Sequence, residues 1–250
     1  MANPPMFLVD TATLATDPIR LEGAEGRHAV MVRRLRSGEA VALTDGAGAV
    51  AAGRVVAVDR AGLACAVERR YTEPRPSPRV VVVQALPKGD RAELTVAALT
   101  EVGVDAVVPW AAARCVTRWS GERAAKGLGR WRAAAREATK QSRRAWLPDI
   151  RDVATTEEVA ALLAASALPV VLHESASQPL GAVRVPTEGD VAVVVGPEGG
   201  INDAELAAFG AVGAEPVRMG PTVLRTSTAG TAAVAVLLSR TPRWDRVSEP

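Results

Sequence analysis

The most informative stretch of the chain is Val191–Glu205, VAVVVGPEGGINDAE. Its five apolar residues predict a buried strand, which ends in the turn Gly-Pro-Glu-Gly-Gly. Asn202 and Glu205 have the spacing of a helix N-cap and its partner three residues on, so a helix is expected to begin there. Glycines let a backbone approach a ligand closely, and ligands of α/β proteins bind at the carboxyl ends of strands. The pattern therefore favours a binding loop over a plain strand–helix connection.

This loop matches neither of two common nucleotide-binding motifs. It lacks the Lys-Ser/Thr pair with which a P-loop holds a triphosphate. It also lacks the G-x-G-x-x-G spacing of dinucleotide folds, and no other predicted strand end supplies that spacing. The ligand of this loop is therefore bound by different means.

Two other segments place polar residues at predicted strand ends. Met219–Gly230, MGPTVLRTSTAG, repeats the order of strand, Gly-Pro turn and helix, with Arg225 in or near the first helical turn. Leu172-His173-Glu174 follows another strand. Considered alone, Arg225 is more often a surface residue than a catalytic one, and a single histidine is more often structural. The sequence supplies neither a Ser/His/Asp arrangement nor paired carboxylates at one strand end.

The proline-rich stretch Tyr71–Arg79, YTEPRPSPR, separates two patterns. Before it, β-prone runs and glycine turns surround one helical segment, which predicts a small β-barrel-like domain. After it, strands alternate with helices, which predicts a parallel α/β sheet. The early strands are predicted at 7–9, 40–43, 50–58 and 63–67 and the early helix at 23–36; the later strands are predicted at 80–84, 106–110, 170–172, 191–195 and 217–219, and the later helices at 91–101, 122–142, 203–209 and 226–239.

The composition is that of a folded protein. Of 250 residues, 48% are hydrophobic and 23% are charged, which excludes a disordered chain. Two cysteines cannot build a disulfide framework, and no Cys/His cluster has metal-binding spacing. The longest apolar stretch, Val159 to Leu172, is shorter than the roughly 20 residues of a membrane span, and the N-terminus does not resemble a signal peptide. We expect one large or two small domains in the cytoplasm, with no membrane segment and no metal.

The net charge of +2 conceals a strongly basic segment. Residues 114–151 hold eleven basic side chains and three acidic ones. Such a local excess indicates a polyanionic partner, because neutralising phosphates supplies much of the affinity for nucleic acids. The alternative interpretation is a solvated helix face.

The order of these motifs resembles a known family. GPEGG after a valine run, followed about 20 residues on by G-P-x-V-L-R-T-x-T-A, is similar to the SPOUT class of S-adenosylmethionine-dependent RNA methyltransferases, and within it to the RsmE family. The resemblance covers nearly the whole chain. Further matching segments are His28 with Val32-Arg33-Arg34-Leu35-Arg36 and Gly38, Lys88-Gly89-Asp90, Thr100-Glu101-Val102-Gly103-Val104, Arg136-Glu137-Ala138 with Gln141-Ser142 and Arg144, and Leu172-His173-Glu174.

The resemblance implies a fold and an activity. The fold is α/β, with an N-terminal PUA-like β-barrel domain at 1–72, a linker at 73–79 and a SPOUT domain with a deep trefoil knot at 80–245. The activity is methylation of N3 of a specific uridine, position 1498, of 16S ribosomal RNA in the small ribosomal subunit. The resemblance also implies S-adenosyl-L-methionine as cofactor and a homodimer as the active unit.

The family's functional residues carry over to matching positions of this chain. The cofactor set implied by the resemblance is Leu172, His173, Glu174, Gly196, Pro197, Glu198, Gly199, Gly200, Met219, Gly220, Val223, Leu224, Arg225 and Thr226. The implied RNA-binding set is His28, Arg33, Arg34, Arg36, Arg114, Gln141, Arg143 and Arg144. Arg225 is the candidate catalytic residue, since a cation favours the uracil anion. Glu174 and Glu198 are alternative proton acceptors.

Two positions depart from the family pattern. Ser227 stands where the family often has Glu, and Ala98 stands where it often has Lys, so neither receives a role.

Two other functions stay open. One alternative is a non-catalytic RNA-binding or ribosome-assembly protein on a SPOUT scaffold, which the intact glycine loops disfavour. The other is a SPOUT enzyme acting on another RNA, which the full-length match disfavours.

Overall fold

A computed structural model describes residues 4–88 and 91–245. Gly89 and Asp90 of the Lys88-Gly89-Asp90 motif lie outside the described residues. The described residues form two compact units: one holds those up to Arg75 together with Thr139–Leu147, and the other holds those of Pro76–Ala138 and those from Pro148 onward. None of the described helices is both long and apolar enough to cross a membrane.

The N-terminal unit is built on a five-stranded sheet. Its strands, in the order β1-β3-β4-β5-β2, are β1 (Met6–Leu8), β2 (Ile19–Leu21), β3 (Ala40–Thr44), β4 (Ala49–Val58) and β5 (Leu63–Thr72). β1 pairs with β3 in parallel, and the other pairs are antiparallel. Apolar side chains from all five strands form one core, which includes Phe7, Ile19, Leu43, Val55 and Leu63. The sequence predicted four of these strands and missed β2.

Short helices connect the first three strands of this unit. α1 (Thr11–Leu14) begins where the Asp10 carboxylate accepts the Thr13 N–H at 2.8 Å. α2 (Gly23–Arg27) continues directly into a π-helix, His28–Val32. The predicted helix at 23–36 is therefore too long at its C-terminal end. Its last residues include Arg34, whose φ of 56° lies in the left-handed region.

A segment distant in sequence belongs to the same unit. Thr139–Leu147 contains the last residues of α4 (Gly121–Gln141) and the turn after it. Within the unit, Lys140 Nζ lies 2.8 Å from Glu25 Oε1, and the Trp146 Nε1–H donates to the Glu73 carbonyl at 3.1 Å. The sequence pattern had predicted this segment to be part of the domain at 80–245. Local patterns cannot show such an assignment, because the partners are more than 70 residues apart.

The C-terminal unit contains a six-stranded sheet in which every pairing is parallel. Its strands, in the order β11-β9-β10-β6-β7-β8, are β6 (Arg79–Ala85), β7 (Ala106–Trp110), β8 (Asp149–Ile150), β9 (Leu168–Leu172), β10 (Asp190–Val195) and β11 (Glu215–Val217). The remaining helices are α3 (Ala92–Val102), α5 (Thr156–Ala164), α6 (Asp203–Ala211) and α7 (Thr226–Leu238). The predicted parallel α/β architecture is confirmed, while β8 and α5 were missed.

The strand order determines where the site lies. β9, β10 and β11 are neighbours in the sheet and point the same way, so their carboxyl ends meet at one edge. The predicted strand at 217–219 ends earlier than expected. Beyond β11, the Arg218 N–H donates to the Gln178 carbonyl at 2.8 Å, and the Arg218 carbonyl accepts the Leu180 N–H at 2.9 Å. Arg218 therefore pairs with this later segment and not with β9. The trefoil knot implied by the family resemblance stays a prediction.

Candidate active site

A cavity of about 1080 Å³ opens at this edge of the parallel sheet. The loops after β9, β10 and β11 form its wall with the first turn of α7. Lys88, Arg91 and Arg114 complete the wall from the loops after β6 and β7. Small-molecule sites commonly enclose roughly 300–1,000 Å³, so this cavity has room for a cofactor and part of a second substrate.

Every residue of the predicted cofactor set lines this cavity. The three strand ends that the sequence singled out are therefore brought together in space. Arg91 and Arg218 also line the cavity and were missed. Arg218 directly follows a strand, a position that could have identified it. Arg91 directly follows the Lys88-Gly89-Asp90 motif in the sequence, but no role in the site was predicted for that motif.

The GPEGG turn is shaped by contacts within the protein. The Gly200 N–H donates to the Pro197 carbonyl at 2.9 Å, and Gly200 has a φ of +74° that favours glycine. A Cβ on Gly196 would lie 2.7 Å from Cγ1 of Ile201, and one on Gly199 would lie 3.0 Å from Cβ of Arg114. Close packing of the chain against itself therefore disfavours a side chain at 196 and 199.

Gly220 is different, because it faces open space. Apart from Gly220 itself and its two chain neighbours, no described residue has an atom within 4 Å of the position that its Cβ would occupy. Val223 and Leu224 follow on the same loop with 80% and 38% of their surface exposed. This loop offers backbone and apolar surface to a ligand in the cavity.

Arg225 occupies the N-cap position of α7. Its carbonyl accepts the N–H groups of Thr228 and Ala229, both at 2.9 Å, so the backbone is fixed at the helix start. Its side chain is exposed on the cavity wall. Within residues 4–88 and 91–245, the guanidinium makes no hydrogen bond or ion pair of its own. The cation is thus available to a ligand.

The other candidate residues have more local contacts. His173 Nδ1 accepts the Ser175 N–H at 3.2 Å, which is a turn-stabilising bond. Glu198 Oε1 accepts the Lys88 N–H at 3.3 Å, whereas Glu174 is exposed. Burial raises the pKa of the Cys115 thiol, and this disfavours a thiolate nucleophile.

The cavity wall carries an excess of positive charge. Among the described residues, five basic side chains line it: Lys88, Arg91, Arg114, Arg218 and Arg225. In the same described part of the chain, three carboxylates line it: Glu174, Glu198 and Asp203. Such a wall attracts an anionic substrate and still offers both charge signs to a zwitterionic ligand.

The predicted RNA-binding residues fall into two groups. Arg114 lines the cavity, and the others belong to the N-terminal unit. His28 packs edge-on against Phe7, with ring centroids 6.4 Å apart, and this is a structural contact. Arg34 and Arg143 are the two residues other than glycine that have a positive φ, 56° and 57°, in the described part of the chain. Left-handed backbone at two arginines is uncommon and accompanies functional sites.

Comparison with known proteins adds independent evidence. The family model "RNA methyltransferase domain" matches residues 73–238, and "RNA methyltransferase PUA domain" matches residues 21–68. The chain is 46% identical over 244 residues to the ribosomal RNA small subunit methyltransferase E of Mycobacterium bovis, which covers 96% of this chain and 93% of the relative.

Solved structures agree with these matches. The ribosomal RNA small subunit methyltransferase E of Neisseria gonorrhoeae, bound to S-adenosylmethionine, is 28% identical with a TM-score of 0.84 and covers 95% of this chain and 98% of its own. A Legionella pneumophila protein described as a methyltransferase, with bound S-adenosylmethionine, is 26% identical with a TM-score of 0.85 and covers 96% and 99%. The chain therefore belongs to the ribosomal RNA small subunit methyltransferase E family, with an N-terminal PUA domain and a C-terminal RNA methyltransferase domain.

Proposed function

We propose that this chain transfers the methyl group of S-adenosylmethionine to N3 of a specific uridine, position 1498 in the usual count, of 16S ribosomal RNA in the small ribosomal subunit. The observation that carries the proposal is the cavity, whose wall is made by the three loops that bear the family motifs. The name of the Mycobacterium bovis relative and the S-adenosylmethionine in two similar structures support it.

The residues of the cavity fit this cofactor. S-adenosylmethionine joins a flat adenine and a ribose to an amino acid that carries both charge signs. Apolar side chains such as Leu172, Ile201 and Met219 suit the adenine, and the mixed charges of the wall suit the amino acid. The open space at Gly220 lets the cofactor approach the backbone. We expect the predicted cofactor set to hold it.

The reaction requires positioning and charge stabilisation. Bound S-adenosylmethionine supplies an electrophilic methyl group on its sulfonium. The protein aligns the uracil N3 with that methyl group, and alignment is a large part of catalysis. N3 must lose its proton to attack, and a nearby cation stabilises the resulting anion. Arg225 performs this role, since its guanidinium has no other partner among the described residues. Glu174 and Glu198 are the candidate proton acceptors.

We assign RNA binding and catalysis to different parts of the chain. We expect residues 1–72, together with Thr139–Leu147 of the same compact unit, to bind the RNA. Residues 73–79 then link the domains, and residues 80–245 carry the cofactor and the reaction. The RNA-contacting residues are His28, Arg33, Arg34, Arg36, Arg114, Gln141, Arg143 and Arg144. The active unit is a homodimer that acts in the cytoplasm, where small subunits are assembled.

Methyl transfer to purified ribosomal subunits tests the proposal. Small subunits from cells that lack this protein are incubated with it and labelled S-adenosylmethionine, beside large subunits and transfer RNA. We expect label in 16S RNA alone, recovered as 3-methyluridine after digestion. Label in another RNA would support an enzyme with a different substrate. If the protein binds small subunits but neither methylates them nor binds S-adenosylmethionine, the result would support a non-catalytic assembly protein.

A further inference from the structure

Glu205 is a buried carboxylate with more contacts than a helix cap needs. Its surface is 4% exposed. Oε2 accepts the Asn202 N–H at 3.0 Å, and the Asn202 side chain accepts the Glu205 N–H at 2.8 Å. These two bonds form the capping box of α6. Oε1 accepts a third bond, from the Ala113 N–H at 2.7 Å, which contributes nothing to the cap.

A second capping box in the same unit provides the comparison. At α5, Glu158 accepts the Thr155 N–H at 2.8 Å and donates its own N–H to the Thr155 hydroxyl at 3.3 Å. Glu158 is exposed. Capping therefore does not require a buried carboxylate, and burying a charge is unfavourable unless it is compensated by hydrogen bonds. The third bond of Glu205 calls for a separate explanation.

That third bond fixes the loop that carries Arg114. Ala113 directly precedes Arg114, whose Nη1 donates to the Gly199 carbonyl at 3.2 Å. A Cβ on Gly199 would lie 3.0 Å from Cβ of Arg114 and 3.2 Å from its carbonyl oxygen, so the loop packs directly on the GPEGG turn. Arg114 lines the cavity and is itself exposed. Among the described residues its guanidinium makes no other hydrogen bond, which leaves most of its five donors available.

We propose that Glu205 is a positioning residue that acts through Arg114, holding the guanidinium in the cavity wall to receive a phosphate of the substrate RNA beside the target uridine. This inference rests on the proposed function. A guanidinium recognises a phosphate through paired hydrogen bonds whose geometry is strict, so the backbone that presents it must be fixed. Glu205 supplies that fixation from the start of α6, and the same carboxylate thereby joins the RNA contact to the cofactor loop.

The test compares Glu205→Gln with Glu158→Gln. Both changes replace the carboxylate of a capping box by an amide, whose oxygen can still accept the N–H of the cap residue. At 205, however, glutamine has one acceptor oxygen for two N–H donors. We expect Glu205→Gln to raise the KM for small subunits about tenfold, as expected for loss of a hydrogen bond to a charged group, with S-adenosylmethionine affinity changed less than twofold. Glu158→Gln should leave both values unchanged. In an Arg114→Ala background, Glu205→Gln should have no further effect on KM.

Several results would overturn the inference. One is a KM in Glu205→Gln that matches Glu158→Gln. A second is a loss of S-adenosylmethionine affinity in Glu205→Gln that is as large as its KM increase. A third is the same KM increase when Glu205→Gln is made in the Arg114→Ala background. If Glu205→Gln does not fold, Arg114→Ala alone decides, because an unchanged KM in that variant removes the role assigned to Arg114. A wild-type protein that methylates no small subunits overturns the proposed function as well, whereas an active wild type with a normal Glu205→Gln overturns this inference alone.

Discussion

Replacing Arg143 by glycine should stabilise the fold and weaken RNA binding at the same time. α4 ends in a turn in which the Arg143 N–H donates to the Lys140 carbonyl at 3.2 Å and the Arg144 N–H donates to the Thr139 carbonyl at 3.0 Å. This pattern is typical of a helix end with glycine in left-handed backbone. Here arginine holds that conformation, with a φ of 57°. We infer that the guanidinium is retained for contact with RNA.

The stability change follows from two opposing effects. Left-handed backbone costs a residue with a Cβ about 1–2 kcal/mol. Glycine relieves that strain but gives the unfolded chain more freedom, which offsets about 0.4–1 kcal/mol. We therefore expect Arg143→Gly to raise the free energy of unfolding by about 0.5–1 kcal/mol. For a chain of this size that corresponds to a Tm increase of about 1–4 °C.

RNA binding should change in the opposite direction. The slope of log K against log salt is negative, and loss of one phosphate contact reduces its magnitude by about 0.7–0.9. The assay is a thermal melt beside salt-dependent binding of small-subunit RNA, with Arg143→Lys as the control that keeps both the charge and the backbone strain. Lysine should leave the Tm and the salt slope near wild type. An unchanged slope in Arg143→Gly would remove Arg143 from the RNA contact, and a lower Tm would refute the strain argument.

Three further predictions concern other parts of the chain. Gly220→Val should reduce S-adenosylmethionine affinity at least about tenfold with little change in Tm, because its side chain enters open space in the cavity; unchanged affinity in calorimetry would contradict this. Arg225→Ala should lower kcat about 100-fold with cofactor affinity retained, since the charge acts mainly in the transition state; single-turnover kinetics on small subunits measures this, and a normal rate would refute the role. Lys140→Met should destabilise the N-terminal unit by about 3–5 kcal/mol, because it leaves the Glu25 carboxylate, 19% exposed, without its cation; a Tm near wild type would show that the pair is unimportant.

The sheet of the C-terminal unit was predictable because its strands are buried on both faces. Val80–Val83 and Val191–Val195 are unbroken apolar runs, and all of these residues are buried in the structure. β8 has two residues and therefore no periodicity to detect. α5 could have been found, since Thr155 and Glu158 have capping-box spacing ahead of an apolar run.

Tertiary contacts limited what the sequence could tell about the site. The three strand ends, two of which carry glycines, were found because turn chemistry is local. The place of Thr139–Leu147 in the N-terminal unit depends on pairs such as Lys140 and Glu25, which no local pattern links. Arg114 was assigned to the basic segment and to the RNA-binding set implied by the resemblance, but its contacts with Gly199 of the GPEGG turn were seen only in the structure. The capping role of Glu205 was readable, but its bond to Ala113 was not.

Mass spectrometry of 16S RNA nucleosides most directly tests whether this chain is the methyltransferase for that uridine. The RNA is taken from cells in which the gene has been removed and from the same cells carrying either the wild-type gene or Arg225→Ala. We expect 3-methyluridine at position 1498 to disappear on removal, to return with the wild-type gene, and to remain strongly reduced with Arg225→Ala. An unchanged amount of 3-methyluridine at that position after removal of the gene would contradict the proposed function.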